Sequence, residues 1–527
     1  MNDEGNDMVN IIKNIRCSKT AHYIIVMASG AMLLSALTAA PNAIFAGEQK
    51  YGGSIGVGVE SDFPGFDALK AGSLSMPSSS AMNVICERLF NMNDDGNLKP
   101  MLGISATPSD NRKTWTIKLR KDVVFHDGTP FNANAVVHHW SRILDPQNRY
   151  PLRRTLMPVR LVEKIDDFSV RFNLRHPWPP IAAMLSSIGS MAAYIPSPKA
   201  VDDDTHNRSP VGTGPFVFKE WESGNCFVVE RNHNYWQKGK PYLDKIVFRA
   251  LPDPHTGFAS LKSGQVHVMW TDRGNLIRKA LKDKSLVTYQ SEDTGAMVLL
   301  LNCSRPPLDD VRVRRALAHT WNQELFVRMS TKDTIPVVHD PFGNTLKCDD
   351  VGYRDYDIKK AKELLAEYGG SVEVRVDHTT TPRGREIAEI AQQFFKRIGV
   401  TVKPVPTDYL TIRTKIIEKT YQTAGYYMRP GRDLGPLFFA IFFSESPINL
   451  TCYNNPEMDR LLLAQRTVTD PEKRKALLCS IARLLNKDAP ILYCGGRRHY
   501  VFTRPEVKGI ASIRGGVPRL SEVWLDK

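Results

Sequence analysis

The sequence predicts an α/β protein that folds as two or three units. A chain of 527 residues is too long for one hydrophobic core. Its 42% hydrophobic and 24% charged residues are ordinary globular values, which argue against fibrous and wholly disordered proteins. Between residues 371 and 405 a strand, an amphipathic helix and a second strand follow one another. This order indicates a parallel sheet with a right-handed crossover.

The first 46 residues have the pattern of a cleaved secretory signal. Three basic residues precede an apolar run over residues 23–46, and small residues stand at its exit. We expect cleavage after Ala46, with Ala40 as the alternative site. A retained membrane anchor is the alternative interpretation of the run, but its proline and polar residues disfavour it. Cys17 precedes the run, so no cysteine follows it for lipid attachment, and we expect a periplasmic product.

The charge distribution and the cysteine spacing argue against a nucleic-acid-binding protein and against a zinc ribbon. The formal charge is +14, but the sequence shows neither a basic stripe nor a nucleic-acid recognition module. Excess positive charge favours encounters with anionic ligands. Of the eight cysteines, seven follow the predicted leader, so at least one thiol is expected to stay unpaired. None lies in a CxxC motif, which argues against a zinc ribbon. The spacing does not reveal the pairing.

Residues 114–140 predict a strand, a tight turn and a helix. Apolar and polar residues alternate over 115–119, as on a half-buried strand. Asp-Gly at 127–128 favours a tight turn, and Asn132 is a suitable N-cap for a helix over 133–144. The other elements predicted in the first half are a strand at 51–60, a helix at 81–90, a strand at 168–174, an edge strand within 211–221, a strand at 245–250 and a helix at 258–263.

The second half continues with an apolar strand, MVLLLN, at 297–302. Asp309 or Asp310 is expected to cap the helix that follows, whose apolar residues recur at helical spacing up to Trp321. The remaining predicted elements are a helix over 357–368 closed by Gly369, a strand at 371–376, a helix over 386–398 closed by Gly399, a strand at 400–405 and a strand over 425–428.

Several segments together resemble one protein family. They are TWTIKLRKDVVFHDGTPFNANAVVHHW at 114–140, VGTGPFVFKEW at 211–221, RNHNYW at 231–236, NCSRPPLDDVRVRRALAHTWN at 302–322 and the stretch from YNNPEMD to ILY at 453–493. In this order and spacing they are similar to the peptide/nickel family of extracytoplasmic solute-binding proteins, family 5, which are the capture subunits of ABC importers. The resemblance extends over nearly the whole mature chain.

The resemblance implies the two-lobed periplasmic binding protein fold, with a two-strand hinge and an extra subdomain in the first lobe. The ligand is expected between the lobes, where closure buries it. The implied boundaries are a signal peptide at 1–46, lobe I at 47–95 and 212–300 with a C-terminal return at 498–527, an inserted subdomain at 96–211, and lobe II at 301–497.

The first candidate ligand site is the segment MRPGRD at 428–433. In peptide-binding relatives the corresponding loop carries an aspartate that receives the peptide's free amino group. Here Asp433 is the only acid, so that carboxylate is missing or Asp433 acts from a shifted position. Arg429 and Arg432 favour a carboxylate or phosphate, which arginine binds bidentately, unless both face solvent. Tyr426 and Tyr427 are expected either to stack on the ligand or to continue a core strand.

Two further arginines are candidates. In nickel-chelate-binding relatives an arginine after the signature helix contacts the chelator's carboxylates, and Arg149 falls at about that position. A tryptophan near it in those relatives has no match here, Leu152 being closest. Arg383 lies in PRGRE at 382–386, which is expected to present backbone N–H groups to an anion at a helix N-terminus.

The sequence favours a receptor over an enzyme. It contains no GxSxG, HExxH or GxxxxGK[ST] motif. Adjacent His138 and His139 diverge on their helix, so we expect no metal site, no cofactor and no catalytic residue there. The predicted function is a monomeric periplasmic subunit that delivers a short peptide, or a related carboxylate-bearing amino-acid-derived solute, to an inner-membrane ABC permease. The alternatives are a nickel-chelate receptor and, in another class, a periplasmic hydrolase or a ligand sensor.

Overall fold

The computed structural model describes residues 49–71, 76–93, 97–342, 346–428 and 433–527. The predicted signal at 1–46 therefore lies outside the described residues. The strands are β1 (Ser54–Val59), β2 (Glu87–Arg88), β3 (Phe90–Met92), β4 (Leu98–Pro100), β5 (Gly103–Pro108), β6 (Thr114–Leu119), β7 (Val159–Asp166), β8 (Ser169–Leu174), β9 (Tyr194–Ile195), β10 (Phe216–Glu222), β11 (Cys226–Arg231), β12 (Lys245–Ala250), β13 (Val268–Trp270), β14 (Val287–Leu301), β15 (Glu373–Thr379), β16 (Thr401–Thr407), β17 (Thr423–Tyr427), β18 (Ile491–Thr503), β19 (Val507–Lys508) and β20 (Trp524–Leu525).

The helices are α1 (Ala68–Ala71), α2 (Met76–Ile85), α3 (Ala133–Leu144), α4 (Ile181–Leu185), α5 (Pro198–Asp202), α6 (Pro254–Ser263), α7 (Gly274–Leu281), α8 (Val311–Thr320), α9 (Gln323–Phe326), α10 (Ile358–Tyr368), α11 (Pro382–Lys396), α12 (Tyr409–Ile417), α13 (Gly435–Phe442), α14 (Pro456–Thr467) and α15 (Pro471–Asp488). A π-helical turn, Val327–Thr331, follows α9. Among the described residues, no helix has the length and apolar character needed to cross a bilayer.

One sheet of ten strands joins the two lobes. Its order is β10-β11-β12-β1-β13-β18-β14-β17-β15-β16. The Thr503 end of β18 pairs with β13, and the Leu301 end of β14 pairs with β17. Strands β14 and β18 also pair antiparallel with each other. These two strands therefore connect the part of the sheet that contains β13 with the part that contains β17. We call the β10–β13 side lobe I and the β15–β17 side lobe II. The fold is thus two-lobed with two hinge strands.

The hinge strands change register where the lobes meet. Between Asp293 and Ala296, and again between Met297 and Val298, the pairing of β14 with β18 is irregular. Gly495 stands opposite Met297, and a side chain there would begin 2.6 Å from the Cδ1 atom of Ile335. Glycine therefore lets the neighbouring segment pass close to the hinge strand. Irregular pairing at this point is where a change in the angle between lobes is most easily accommodated.

Lobe II is the parallel unit that the sequence predicted. Strands β15 and β16 pair parallel, and α11 connects them as the crossover. Two hydrophobic clusters pack on the sheet, one including Phe438 and Phe442 and the other Trp321 and Phe394. Alternate residues of the apolar strand β14 enter the two clusters, so β14 is buried on both faces. Strands β15 and β16 instead carry exposed residues between their buried ones.

The inserted subdomain contains a four-stranded antiparallel sheet, β5-β6-β8-β7. Helix α3 packs on it, and the Asn132 side chain accepts a hydrogen bond from the Asn134 N–H as its N-cap. Trp140 of α3 packs edge-on against Phe172, with ring centroids 5.0 Å apart. The helix predicted over 133–144 is confirmed. The implied boundaries of the subdomain and lobes stay predictions.

The helix predicted at 81–90 is wrong at its C-terminal end. Helix α2 ends at Ile85, and the chain continues in strands β2 and β3. The carbonyls of Arg88 and Leu89 accept hydrogen bonds from the backbone N–H groups of Leu102 and Gly103. These partners lie outside the helix and replace the helical hydrogen bonds. A prediction made from the spacing of apolar residues takes no account of such contacts.

Other local predictions are confirmed. Asp310, one of the two expected caps, caps α8, and Gly369 closes α10 in a left-handed conformation. Strand β10 is an edge strand. Cys348 and Cys479 form a disulfide, and the free thiols among the described residues are those of Cys86, Cys226, Cys303, Cys452 and Cys494.

Candidate functional site

Elements from both lobes and the hinge converge around Tyr427. Tyr427 ends β17 and stands opposite Met297 of hinge strand β14. Residues Asp272 and Arg273 follow β13 of lobe I, and Arg383 lies in the first turn of α11 in lobe II. Arg497 comes from hinge strand β18, two residues beyond Gly495, which pairs with Met297. The cluster lies where the carboxyl ends of parallel strands meet the hinge, a common position for ligand sites in α/β folds.

Arg383 reaches from lobe II toward lobe I. Its Nη1 atom lies 3.4 Å from the carbonyl oxygen of Asp272, and its Nη2 atom lies 3.9 Å from the sulfur of Met297. Both contacts are long for hydrogen bonds of a charged donor. Within the described part of the chain, no carboxylate comes within ion-pair distance of this guanidinium. Arg383 can therefore donate stronger hydrogen bonds than the ones it makes to Asp272 and Met297.

The charges around Tyr427 are mostly positive. Tyr427 is 41% exposed, yet desolvation by the groups around it raises the pKa of its hydroxyl. The guanidinium of Arg383 offsets part of this shift, Asp272 adds to it, and Arg497 and Arg273 offset it further. The positive charges of Arg383, Arg497 and Arg273 thus lower the pKa of this hydroxyl, and the negative charge of Asp272 raises it.

The groups next to Tyr427 also contact one another. Arg273 pairs with Asp272 at 3.3 Å, and an Nη2 atom of Arg497 lies 3.0 Å from Nε2 of His499. Desolvation opposes the charge on Arg383, but Tyr427, Asp272 and other neighbours outweigh it and raise its pKa. Arg383 therefore stays cationic, and the cluster is suited to an anionic group.

A cavity flanks this cluster on the lobe I side. It is small and open to solvent, and residues at the carboxyl ends of β1 and β13 line it, including Val59, Trp270, Asp272 and Arg273. The indole Nε1 atom of Trp270 is buried without a hydrogen-bond partner.

The structure brings only some of the predicted site residues into the cluster around Tyr427. It brings Arg383 and Tyr427 together. Tyr426 is half-buried and packs against the lobe II core. Arg149 is exposed in the inserted subdomain and closes a short helical turn in the left-handed conformation, with its N–H donating to Pro146. Arg429 and Arg432 lie outside the described residues.

Asp433 has a structural partner. Its carboxylate accepts a hydrogen bond from the Arg474 guanidinium at 2.8 Å and another from the Gly435 N–H at 2.9 Å, in the first turn of α13. The two charged side chains are only 13% and 14% exposed. The pair ties α13 to α15. A role of Asp433 in ligand binding stays a prediction.

We expect Asp433→Asn to lower the free energy of unfolding by about 1–3 kcal/mol, because a nearly buried guanidinium loses its charged partner. Arg474→Gln should have a similar cost. The double variant should cost less than both single changes together, since they remove the same interaction. Denaturant unfolding of the three variants measures this. A cost in the double variant equal to the sum of the single costs would show that the two side chains are not coupled.

Gly274 marks a contact between the lobes. A β carbon at this first residue of α7 would lie 2.1 Å from the carbonyl oxygen of Thr331. Thr331 ends the π-helical turn whose Val327 packs in the lobe II core. Because the obstacle is backbone, it cannot move aside as a flexible side chain would.

We expect Gly274→Ala to force the two segments apart and to disfavour this arrangement of the lobes by about 1–3 kcal/mol. The radius of gyration from small-angle scattering should increase, and stabilisation by bound solute should fall. Gly189→Ala is the matched control, since a β carbon there meets nothing within 4 Å. An unchanged radius in Gly274→Ala would contradict the expectation.

No metal centre is present among the described residues, which contain no group of three or more histidine, cysteine, aspartate or glutamate side chains suited to a metal ion. Nε2 of His138 lies 2.9 Å from Asp202. His139 is buried with its Nε2 3.2 Å from the carbonyl of Ala192. As predicted, the two rings point to different partners.

Asp272, Arg273 and Arg497 were missed by sequence reasoning. Arg273 is the N-cap residue of α7, directly after β13. Its position at the carboxyl end of a sheet strand was the signal that could have singled it out. The two arginines that follow Gly495 and Gly496 offered a second signal, a charged pair in an otherwise apolar strand.

Curated relatives share most of the chain's length. The glutathione-binding protein GsiB of Pectobacterium atrosepticum is 26% identical over 427 residues, covering 78% of this chain and 82% of the relative. The heme-binding protein A of Haemophilus influenzae is 28% identical over 449 residues, covering 78% and 81%.

Solved structures share the fold. The binding protein DppA from Helicobacter pylori, in complex with the peptide STSA, has a TM-score of 0.80 at 24% identity, covering 91% of this chain and 99% of that chain. AgaA from A. tumefaciens R10 with agropinic acid has a TM-score of 0.78 at 22% identity, covering 90% and 99%. NikZ from Campylobacter jejuni with Ni(L-His) has a TM-score of 0.75 at 21% identity, covering 87% and 95%.

The family model for the bacterial extracellular solute-binding proteins, family 5 Middle, matches residues 97–449. This span runs from the inserted subdomain through the hinge strand β14 and the cluster around Tyr427 into lobe II. The chain therefore belongs to family 5 of the bacterial extracellular solute-binding proteins.

Proposed function

We propose that this protein is the periplasmic capture subunit of an ABC importer and that it binds a short peptide or a related amino-acid-derived solute by a carboxylate. The observation that carries the proposal is Arg383, a cation between the lobes whose contacts with Asp272 and Met297 are long and which has no carboxylate partner among the described residues. Arg273 and Arg497 add positive charge around it.

Capture follows from the position of Arg383. It belongs to lobe II, and its Nη1 atom faces the Asp272 carbonyl of lobe I. A solute carboxylate held by Arg383 would exchange two long contacts for short charge-assisted hydrogen bonds. These bonds form fully only when the lobes approach, so the solute stabilises the closed arrangement by its differential affinity. The closed form is then the species that a permease would recognise.

The ligand class is supported by the relatives. Glutathione and the peptide STSA are peptides, and agropinic acid is named as an acid. The missing acid at the position of the amine-binding aspartate, with Arg429 and Arg432 beside it, favours a ligand recognised by its anionic rather than its cationic group. The positive charge around Tyr427 agrees with that preference.

A nickel chelate is the second candidate, because NikZ carries Ni(L-His). Carboxylates of a chelator would also suit Arg383, and Arg149 remains the candidate for a further contact. A periplasmic hydrolase or a ligand sensor is the remaining alternative. Export through a signal cleaved after Ala46 and a monomeric state belong to the same proposal.

The test is thermal unfolding of the purified protein, first unfolded and refolded to release any retained solute. The panel contains dipeptides, tripeptides, free amino acids, opine-like acids, and nickel with histidine or citrate. Binding to the folded state raises the stability by about 2.7 kcal/mol at a hundredfold excess over Kd. We expect a shift with a carboxylate-bearing peptide or acid. A shift only with nickel chelates would support the second candidate, and no shift at millimolar solute would contradict both.

A further inference from the structure

Cys303 and Cys452 are neighbours in lobe II. Cys303 comes two residues after β14, and Cys452 lies in the turn before α14. The backbone N–H of Cys303 donates to the carbonyl of Thr451, with a nitrogen–oxygen distance of 2.7 Å. This bond places the main chain of one cysteine beside the residue preceding the other. Both residues are half-buried and both thiols are free in the structure.

The two thiols also act on each other electrostatically. Burial raises the pKa of the Cys303 thiol to about 12; Arg314 opposes the shift, while the Cys452 thiol adds to it. The hydroxyl of Tyr421 is influenced by both thiols, so both lie within electrostatic range of the same group. The Cys303 thiol also lies 3.5 Å from the carbonyl oxygen of Leu301, so the proposed bond would replace this weak contact.

We propose that Cys303 and Cys452 form a second disulfide in the exported protein, independent of Cys348–Cys479. The proposal rests on the proposed export to an oxidising periplasm. Each thiol gives up one proton and one electron, and a sulfur–sulfur bond forms. A disulfide-bearing thiol oxidant accepts the two electrons and two protons and becomes a dithiol. The reaction belongs to folding, when both thiols are still exposed with ordinary pKa values.

The bond would fix the point where a hinge strand leaves the sheet. Cys303 follows Leu301, the last residue of β14, and Asn302 already binds the backbone of Tyr421 through its side chain. The Tyr421 hydroxyl in turn donates to the carbonyl of Leu450. A covalent link across the same junction would join the end of β14 to the turn that leads into α14.

The proposal is tested by counting the free thiols of serine variants, since a substitution can raise or lower that number. The full-length protein is produced in a Gram-negative bacterium with its own N-terminal segment, purified without reductant, denatured in guanidinium and titrated with a thiol reagent. If the pair is bonded, Cys303→Ser releases Cys452, and the count rises by one. If the pair is free, the same change lowers the count by one. Cys452→Ser should behave identically, and the reading does not depend on native folding because it is made on denatured chains.

Two controls separate this inference from the proposed export. Cys348→Ser should raise the count by one, because its partner Cys479 is released. Cys226→Ser should lower it by one. A rise in Cys348→Ser with a fall in Cys303→Ser would overturn the second disulfide alone. A fall in both would show that the chain folds in a reducing compartment, and the proposed export would fail with it.

Discussion

Replacing Glu87 with alanine is expected to lower the free energy of unfolding by about 3–5 kcal/mol. Glu87 is fully buried in strand β2. Its carboxylate accepts hydrogen bonds from the hydroxyl of Thr213 at 2.9 Å, the hydroxyl of Tyr235 at 2.8 Å and the indole N–H of Trp236 at 2.7 Å. Alanine leaves two buried donors, those of Thr213 and Tyr235, and the half-buried Trp236 N–H without this acceptor, and it adds a cavity.

The control for this loss is Glu163→Ala. Glu163 pairs with Arg171 at 3.3 Å, and both side chains are 44% exposed. Exposed ion pairs contribute about 0–1 kcal/mol, so this variant should unfold near the wild-type denaturant midpoint. Equal midpoints for Glu87→Ala and Glu163→Ala would contradict the role assigned to Glu87.

Glu87 should also make stability depend on pH. Burial raises its pKa from 4.5 to about 7, although the hydrogen bonds from Trp236, Tyr235 and Thr213 and the charge of Arg88 oppose the shift. Because the folded-state pKa lies above the unfolded value, the folded protein holds this proton more tightly between about pH 4.5 and 7. The free energy of unfolding therefore falls as pH rises through that window, by an amount on the order of 3 kcal/mol.

Glu87→Gln separates this titration from the other carboxylates. Glutamine is neutral throughout, so the variant should lose the fall in stability between about pH 4.5 and 7 that Glu87 causes. Denaturant unfolding of both proteins at closely spaced pH values measures the difference. Parallel stability curves for wild type and Glu87→Gln would show that Glu87 does not titrate in this range.

Local signals in the sequence predicted the elements that depend on local contacts. Asn132 and Asp310 each cap the helix that a residue at that place was expected to cap, because a cap is a hydrogen bond within three residues. The end of α2 was predicted wrongly because Glu87 is held by residues more than a hundred positions away. Two segments that carried the family resemblance, VGTGPFVFKEW and RNHNYW, supply its three donors.

The binding cluster was only partly predictable for the same reason. Arg383 was found from its place at a helix start, and Tyr427 from its strand. Their meeting with Arg497 required the order of β18, β14 and β17 in the sheet, which residues separated by long segments do not reveal. A strand prediction tells which residues point to each face of a sheet, but not which strands pair with each other.

Replacing Arg383 with alanine is expected to have the largest effect on solute binding. A solute carboxylate held between the lobes would be desolvated on closure, and truncating one partner of such a pair costs about 2–5 kcal/mol. The affinity should therefore fall by about 30-fold or more. The reason lies in the free protein, where the Arg383 guanidinium lies 3.4 Å from the Asp272 carbonyl and 3.9 Å from the Met297 sulfur and also interacts with the Tyr427 hydroxyl, but pairs with no carboxylate among the described residues.

Arg385→Ala is the matched control for this prediction. Arg385 lies two residues further along the same helix and is exposed, so its loss removes a charge of the same sign without removing a group from the cleft. Arg383→Lys should give an intermediate affinity, because an ammonium keeps the charge but cannot bind a carboxylate through two parallel bonds. Isothermal titration with the solute identified by thermal unfolding would measure all three. If Arg383→Ala binds as tightly as Arg385→Ala, the carboxylate is held elsewhere, and Arg273 and Arg497 become the residues to change next.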